Sequence, residues 1–287
     1  MDANGTLMPV RPVMRYHGGK WTLAPWIISH FPKHRVYTEV YGGAGSVLMR
    51  KPRSHSEVFN DLDGDVVNLF RVLRDRGPEI IRLLTFTPYA REEFDLTFER
   101  SGDAMEDARR MVMRATMGFG STVTRPTTAD RPMRTGFRNG SRQSGTSPGS
   151  DWRELPEKLL RVVDRLRGVV IENREAARLL QQLDAPDALH YVDPPYVHST
   201  RGAHAGSSHC GYRHEMSDED HENLAAVLNG LDGQVAISGY RSALYDRLYQ
   251  RWRRVERRAL ADGGKERVEV LWMNYAGSAD LFDSAGD

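Results

Sequence analysis

The stretch "RVYTEVYGGAGSVLMRKPRSHSEVFND", residues 35–61, restricts the fold more than any other part of the chain. Arg35 to Val40 is a short buried-strand pattern, and a glycine-rich loop follows it. Ser46 to Arg50 continues as helix, and Ser56 to Asp61 reads as a second strand. Parallel strands need a crossover between them, which an α-helix supplies, so strand, glycine loop, helix and strand predict a parallel α/β sheet. Upstream, "RYHGGKWTLAPWIISHFP" sets Gly18 and Gly19 before a helix over Leu23–His30, ended by Pro32. Downstream, "DGDVVNLFRVLRD" has its apolar residues at helical spacing.

The α/β texture breaks off and then returns. Residues 69–165 carry helical patterns without a convincing strand ("PEIIRLL", "YAREEFDLTFER", "DARRMVMRATM"). A polar loop over residues 122–152 follows, too long for an ordinary connection. Beyond residue 165 come the strands "GVVIEN", "DALHYV" and "GQVAIS". Helix "SDEDHENLAAVLNGL" opens with the capping pair Ser217 and Asp220, and "RSALYDRLYQ" is a further helix. "WRRVERRAL" and "KERVEVLWMNY" form a hairpin around Asp262-Gly263-Gly264. The expected organisation is a loose segment 1–13, an α/β domain from 14–68 and 166–287, and an insertion at 69–165.

With 287 residues and a formal net charge of +1, bulk charge alone selects no acidic partner. Its distribution is informative: between Arg109 and Arg142 stand eight arginines against one acid, Asp130. A single cysteine excludes an intramolecular disulfide framework. No run approaches the roughly 18 apolar residues of a membrane span, and the N-terminus lacks the features of a signal peptide. A cytoplasmic, soluble protein is expected.

Three motifs carry chemistry. Gly42, Gly43 and Gly45 follow a strand and precede a helix, where glycines let backbone approach a ligand closely; a tight turn is the competing reading. No Gly-Lys-Ser/Thr follows, which disfavours a triphosphate. Glu39 would repel phosphate and tolerate a cation. Asp61, 19 residues after Gly42, suits ribose hydroxyls, with an N-cap as its alternative. Lys20, after two glycines and near Tyr16, is either a surface lysine or a residue closing over a ligand. Asp193-Pro194-Pro195-Tyr196 is the third. Two prolines stop the strand and hold the Asp193 carboxylate and the Pro194 carbonyl as adjacent acceptors. Two acceptors match the two hydrogens of an exocyclic amino group, and Tyr196 offers a ring on which the base can stack.

Together these residues resemble the Dam-type DNA adenine-N6 methyltransferases, of phage, orphan or restriction-modification type. "YHGGK" is similar to that family's W-x-G-G-K motif, "TEVYGGAGS" to its E-P-F-x-G-x-G-S loop, "FNDLD" to its acidic motif, and "DPPY" to its catalytic motif, in the same order. Tyr16 stands where the family has tryptophan, and Val40-Tyr41 where it has Pro-Phe. The resemblance implies a Rossmann-like, S-adenosylmethionine-dependent catalytic domain whose insertion recognises the target in duplex DNA. It implies that Tyr16 and Lys20 line the methyl-donor pocket, that Glu39 and Gly42 to Gly45 surround the methionine part, and that Asp61 binds ribose. Asp193, Pro194, Pro195 and Tyr196 would hold a flipped adenine. Arg125, Arg131, Arg134, Arg138 and Arg142 become candidate DNA contacts, against the plainer reading of a solvated loop. A palindromic target would suit a homodimer.

Cytosine-N4 methylation shares this chemistry and is the nearest alternative. Cytosine-C5 methylation needs a Pro-Cys nucleophile that "SSHCGY" does not provide. A DNA-binding regulator with a disabled methyltransferase fold, or a nucleotide-binding oxidoreductase, are rivals from other classes. His198, His204, His209, Cys210 and His214 fit no standard zinc spacing, so no metal is expected and the segment reads as a lid over the base.

Overall fold

The computed structural model describes residues 8–120, 135–140, 147–200, 212–260 and 266–276. Arg125, Arg131, Arg134, Arg142, the 262–264 turn, and His204, His209 and Cys210 lie outside the described residues. The strands are β1 (Val36–Glu39), β2 (Ser56–Asn60), β3 (Val169–Glu172), β4 (Ala188–Val192), β5 (Gln234–Tyr240), β6 (Arg253–Leu260) and β7 (Glu266–Met273). The helices are α1 (Ala24–Ser29), α2 (Ser46–Arg50), α3 (Gly64–Asp75), α4 (Gly77–Thr85), α5 (Arg91–Leu96), α6 (Ala104–Met117), α7 (Pro148–Leu166), α8 (Ala176–Leu183), α9 (Asp218–Asn229) and α10 (Ala243–Leu248).

Among the described residues the seven strands form one sheet in the order β3-β2-β1-β4-β5-β7-β6. The first five in that order are parallel, and β7 runs antiparallel to both β5 and β6. From β1 the chain moves outward through β2 to β3, then returns to pair β4 with the other edge of β1. The crevice above the C-terminal ends of β1 and β4 is therefore a topological switch point, the place where open α/β sheets take ligands. β1 is followed by the glycine loop and β4 by Asp193-Pro194-Pro195-Tyr196. Strand order is what brings the two motifs together.

Burial explains the strand sequences. All five residues of β4 are buried, as expected for a central parallel strand covered on both faces. The capping box at the start of α9 forms as predicted, with Ser217 Oγ accepting from the Asp220 amide. Two features differ from the sequence expectation. Helix α3 runs unbroken across residues 68 and 69, so the domain boundary expected there falls inside a helix. Helix α7 starts within the polar run 122–152, because Ser147 caps it and Pro148 occupies its first turn, where a missing N–H costs nothing. Thus "SPGSDW" begins a 19-residue helix instead of ending a loop.

Helix α7 returns the chain to the sheet through a buried ion cluster. Arg165 Nη1 and Nη2 donate to both oxygens of Glu57 on β2 at 2.6 and 2.9 Å, and Lys51 Nζ donates to the same carboxylate at 2.7 Å. Burial alone would raise the Glu57 carboxyl, but its two cations outweigh it and lower it. Burial pushes Lys51 down to about 8, against the pull of Glu57. Replacing Glu57 by alanine leaves two buried cations unmatched and is expected to destabilise the fold by about 3–5 kcal/mol. Urea unfolding checks this, and a loss under about 1 kcal/mol would show the cluster to be solvated.

Candidate active site

The glycine loop is shaped by the aromatic pair beneath it. Phe59 of β2 stacks on Phe70 of α3 with ring centroids 3.9 Å apart. A Cβ at Gly42 would lie 2.2 Å from the Phe59 ring, so side chains are excluded there by contact. Gly43 and Gly45 have φ of +49° and +61°, the left-handed region that glycine enters without penalty. The loop thus wraps closely over Phe59 and directs backbone N–H groups toward Asp61. Gly43 N donates to Asp61 Oδ2 at 2.7 Å, and Asp63 N donates to Oδ1 at 2.8 Å. Asp61 is not the N-cap of α3; Asp63 fills that role by accepting from Asp65 N. Burial pushes the Asp61 carboxyl up to about 6, although its backbone donors oppose the rise.

Glu39 ends β1 inside the crevice and is buried. Its Oε2 accepts from Tyr37 Oη and from Leu48 N of α2, each at 2.8 Å. Those two bonds fall on one oxygen, leaving Oε1 for the cavity that Glu39 lines. Burial raises this carboxyl to about 8, against both hydrogen bonds. A cation beside it would favour the ionised form.

Asp193 lies at the other side of the crevice. Its Oδ1 accepts from Ser238 Oγ of β5 at 2.7 Å, and its Oδ2 pairs with Lys20 Nζ at 3.1 Å. Lys20 is 5% exposed, so the surface-lysine reading does not describe it. Its Nζ also donates to the Gly18 carbonyl at 2.8 Å and stands 4.7 Å from the Tyr196 ring centre. Burial would lower the Lys20 ammonium, but Asp193 and Glu269 raise it overall. The Tyr196 hydroxyl donates to Glu269 Oε2 on β7 at 2.8 Å, and Tyr240 meets the Tyr196 ring edge-on at 4.6 Å. Pro194 and Pro195 are buried beside them.

Tyr16, Lys20, Glu39, Gly42, Gly43, Asp61, Asp193 and Pro195 line one cavity of about 370 Å³, within the range for small-molecule sites. Gly45 supports the loop from behind. The Tyr16 ring packs on Gly43, where a Cβ would approach it to 3.0 Å. Tyr212 to Met216 also line the cavity. Arg213 Nη1 reaches Asp63 Oδ1 at 2.6 Å and Asp65 Oδ2 at 3.3 Å, which holds this segment against the start of α3. Arg138 is placed elsewhere: it donates to the Thr116 carbonyl at 3.1 Å and lies 3.6 Å from Asp151, between α6 and α7.

Sequence reasoning missed Ser238, Tyr240 and Glu269. Each lies on β5 or β7, where an acid or hydroxyl in an apolar run was the available signal. No group of three His, Cys, Asp or Glu residues suited to a metal occurs among the described residues. No helix among them is long and apolar enough to cross a membrane. Chemically, the crevice joins a pocket with acidic ends and close backbone to a stiff acceptor pair bearing a fixed cation and an oriented ring.

The sequence matches the family described as D12 class N6 adenine-specific DNA methyltransferase over residues 16–261. No curated protein matches the chain. Among solved structures it is similar to precorrin 8W decarboxylase, the MT0146 product of Methanobacterium thermoautotrophicum. That likeness has 9% identity and a TM-score of 0.35, over 89% of this chain and 90% of the other. A likeness at that level carries no argument about activity.

Proposed function

Because the chain belongs to the D12 class N6 adenine-specific DNA methyltransferases, we propose that it is a Dam-type enzyme acting at one short DNA sequence, with the residues of the switch-point crevice in the roles that follow. The family transfers a methyl group from S-adenosylmethionine to adenine N6 in DNA. One observation supports the assignment of roles: the glycine loop with Asp61, and Asp193 with Pro195, line a single cavity across the β1/β4 switch point, with Pro194 and Tyr196 buried next to that lining.

The cavity fits the donor in its chemistry. Asp61 offers a fixed carboxylate for ribose hydroxyls, and the Gly43 backbone approaches without a side chain between. Tyr16 covers the loop, and Glu39 suits a neighbouring positive charge. S-adenosylmethionine, when bound, supplies an electrophilic methyl on a cationic sulfur. The chain's own residues do the rest. Asp193 and the Pro194 carbonyl accept the two amino hydrogens and leave the N6 lone pair available. Lys20, by an ion pair, and Ser238, by a hydrogen bond, hold the Asp193 carboxylate aimed. Pro195 stiffens the turn, and Tyr196 presents its ring to the extruded base. On taking the methyl group, N6 would carry positive charge, and the Asp193 carboxylate would accept its surplus proton. This transfer needs no metal.

Within the same proposal, helices α4 to α7, together with residues 121–146, serve target recognition; Arg125, Arg131, Arg134 and Arg142 are the candidate DNA contacts. Arg138 serves there by bracing α6 against α7. A palindromic target would be met by two chains about a two-fold axis, and the place of action is the cytoplasm, where the DNA is. The test is methyl transfer from labelled donor to duplex DNA, followed by digestion to nucleosides and sequencing of the modified positions. The expected product is N6-methyladenine within one short recurrent sequence. Label in N4-methylcytosine, or adenines modified without sequence preference, would overturn the reading.

A further inference from the structure

Tyr240, the last residue of β5, stands opposite Glu269 of β7, which in turn stands opposite Arg257 of β6. Residues 266–268 and 258–260 therefore run past the C-terminal end of the parallel strands. At about 3.3 Å per residue the hairpin overhangs that edge by roughly 10 Å. This is the edge that bears Asp193, Tyr196 and the glycine loop.

Directly opposed residues share a face, and so do residues two apart on one strand. Arg257, opposite Glu269, and Arg267, two residues before it, thus project on the face where Glu269 holds the Tyr196 hydroxyl. The Arg267 guanidinium lies 5.9 Å from the Tyr240 ring centre, and Tyr240 abuts Tyr196. Arg257 is exposed and Arg267 half-buried, and neither meets a carboxylate among the described residues. Their neighbours differ: Arg241 and Arg254 both pair with Asp246. Charged residues on an edge strand also discourage strand-to-strand association. That accounts for Arg254, Arg257 and Arg258 as charges on the edge strand. It does not explain Arg267, which sits on an interior strand beside Tyr240, the ring that abuts Tyr196.

A base extruded into that mouth brings a phosphate on each of its sides, and guanidinium groups bind phosphate in a bidentate manner. We propose that the β6–β7 hairpin is a second DNA-binding surface, outside the insertion, in which Arg257 and Arg267 bind the phosphates flanking the extruded adenosine. The inference rests on duplex DNA being the substrate.

The test is the double variant Arg257→Ala/Arg267→Ala, with binding of a labelled duplex of arbitrary sequence read by fluorescence anisotropy across a salt series. Two lost phosphate contacts should lower the slope of log K against log salt by about 2, and weaken binding by about tenfold near 0.1 M salt. Donor affinity and thermal midpoint should stay at wild-type values, and Arg257→Lys/Arg267→Lys, which keeps the charge without the bidentate fork, should regain the salt slope and part of the affinity. Unchanged duplex affinity and slope in the alanine pair would overturn the proposal. A loss accompanied by a lowered thermal midpoint would assign the effect to packing and overturn it equally. Wild-type binding separates the two levels: a wild-type chain without duplex affinity removes the substrate reading itself.

Discussion

Replacing Asp193 by alanine is expected to lower kcat by about three orders of magnitude, while duplex and donor affinities change by no more than a few-fold. A factor of that size corresponds to about 4 kcal/mol of transition-state stabilisation, the range found when a preorganised polar group is removed from a reacting centre. The geometry explains why one carboxylate carries so much. Ser238 fixes Oδ1 at 2.7 Å and Lys20 fixes Oδ2 at 3.1 Å, so the acceptor is in place before the base arrives. Its negative charge also faces the positive charge that develops on N6. Asp193→Asn keeps the shape and one acceptor but loses the charge, and should fall between alanine and wild type. Single-turnover methylation with labelled donor measures the chemical step. An alanine variant that turns over at wild-type rate would remove Asp193 from the mechanism.

The second large effect is on the donor. Asp61→Ala should weaken donor binding by about 100-fold, close to 2.7 kcal/mol. Hydrogen bonds to a charged acceptor contribute about 1.5–3 kcal/mol each. The carboxylate holds the Gly43 amide at 2.7 Å as well as offering itself to ribose, so its removal loosens the loop and the ligand contact together. The effect carries a pH signature. Asp61 is raised to about 6 from an ordinary 3.8, so it is ionised above that pH and neutral below it. An acceptor-only role needs the ionised form. Wild-type donor affinity should therefore show a decline as pH falls through about 6, separate from and below the loss that Glu39 contributes near 8. Titration calorimetry at several pH values should find that decline in wild type and not in Asp61→Ala. Equal pH dependence in the two proteins would show that another group is responsible.

The same residues explain how much of the site could be read from sequence. Gly42, Gly43 and Gly45 are legible because a strand-to-helix loop that wraps an aromatic pair tolerates no side chains. Asp193 to Tyr196 are legible because two prolines at a strand end have few uses. Lys20 was only half legible: its glycines marked a turn, but nothing local shows that the turn delivers the ammonium to Asp193. Ser238 and Glu269 were illegible for the same reason on a larger scale. Each reaches the site through strand pairing, and register between distant strands is not written in either strand alone. Arg138 stood in an arginine-rich run that suggested a common role, whereas its own partners are Thr116 and Asp151. In α7, Ser147 and Pro148 are turn formers and helix starters alike, and only the amphipathic continuation decides between them.

The position of β1 has a consequence for how the chain is made. Val36 pairs with Ser56 on one side and with Ala188 on the other, and Thr38 bonds to His190 across 152 positions. During synthesis, the strands β1, β2 and β3 and the intervening helices can assemble while one side of β1 still has unpaired amides and carbonyls. Pairing between segments so far apart is slow, and a bare central strand invites association with other chains. The switch-point cavity closes only when residues 188–192 arrive to fill that gap. Methyl transfer therefore belongs to the finished chain, and nascent chains that lack β4 carry a glycine loop with nothing to face.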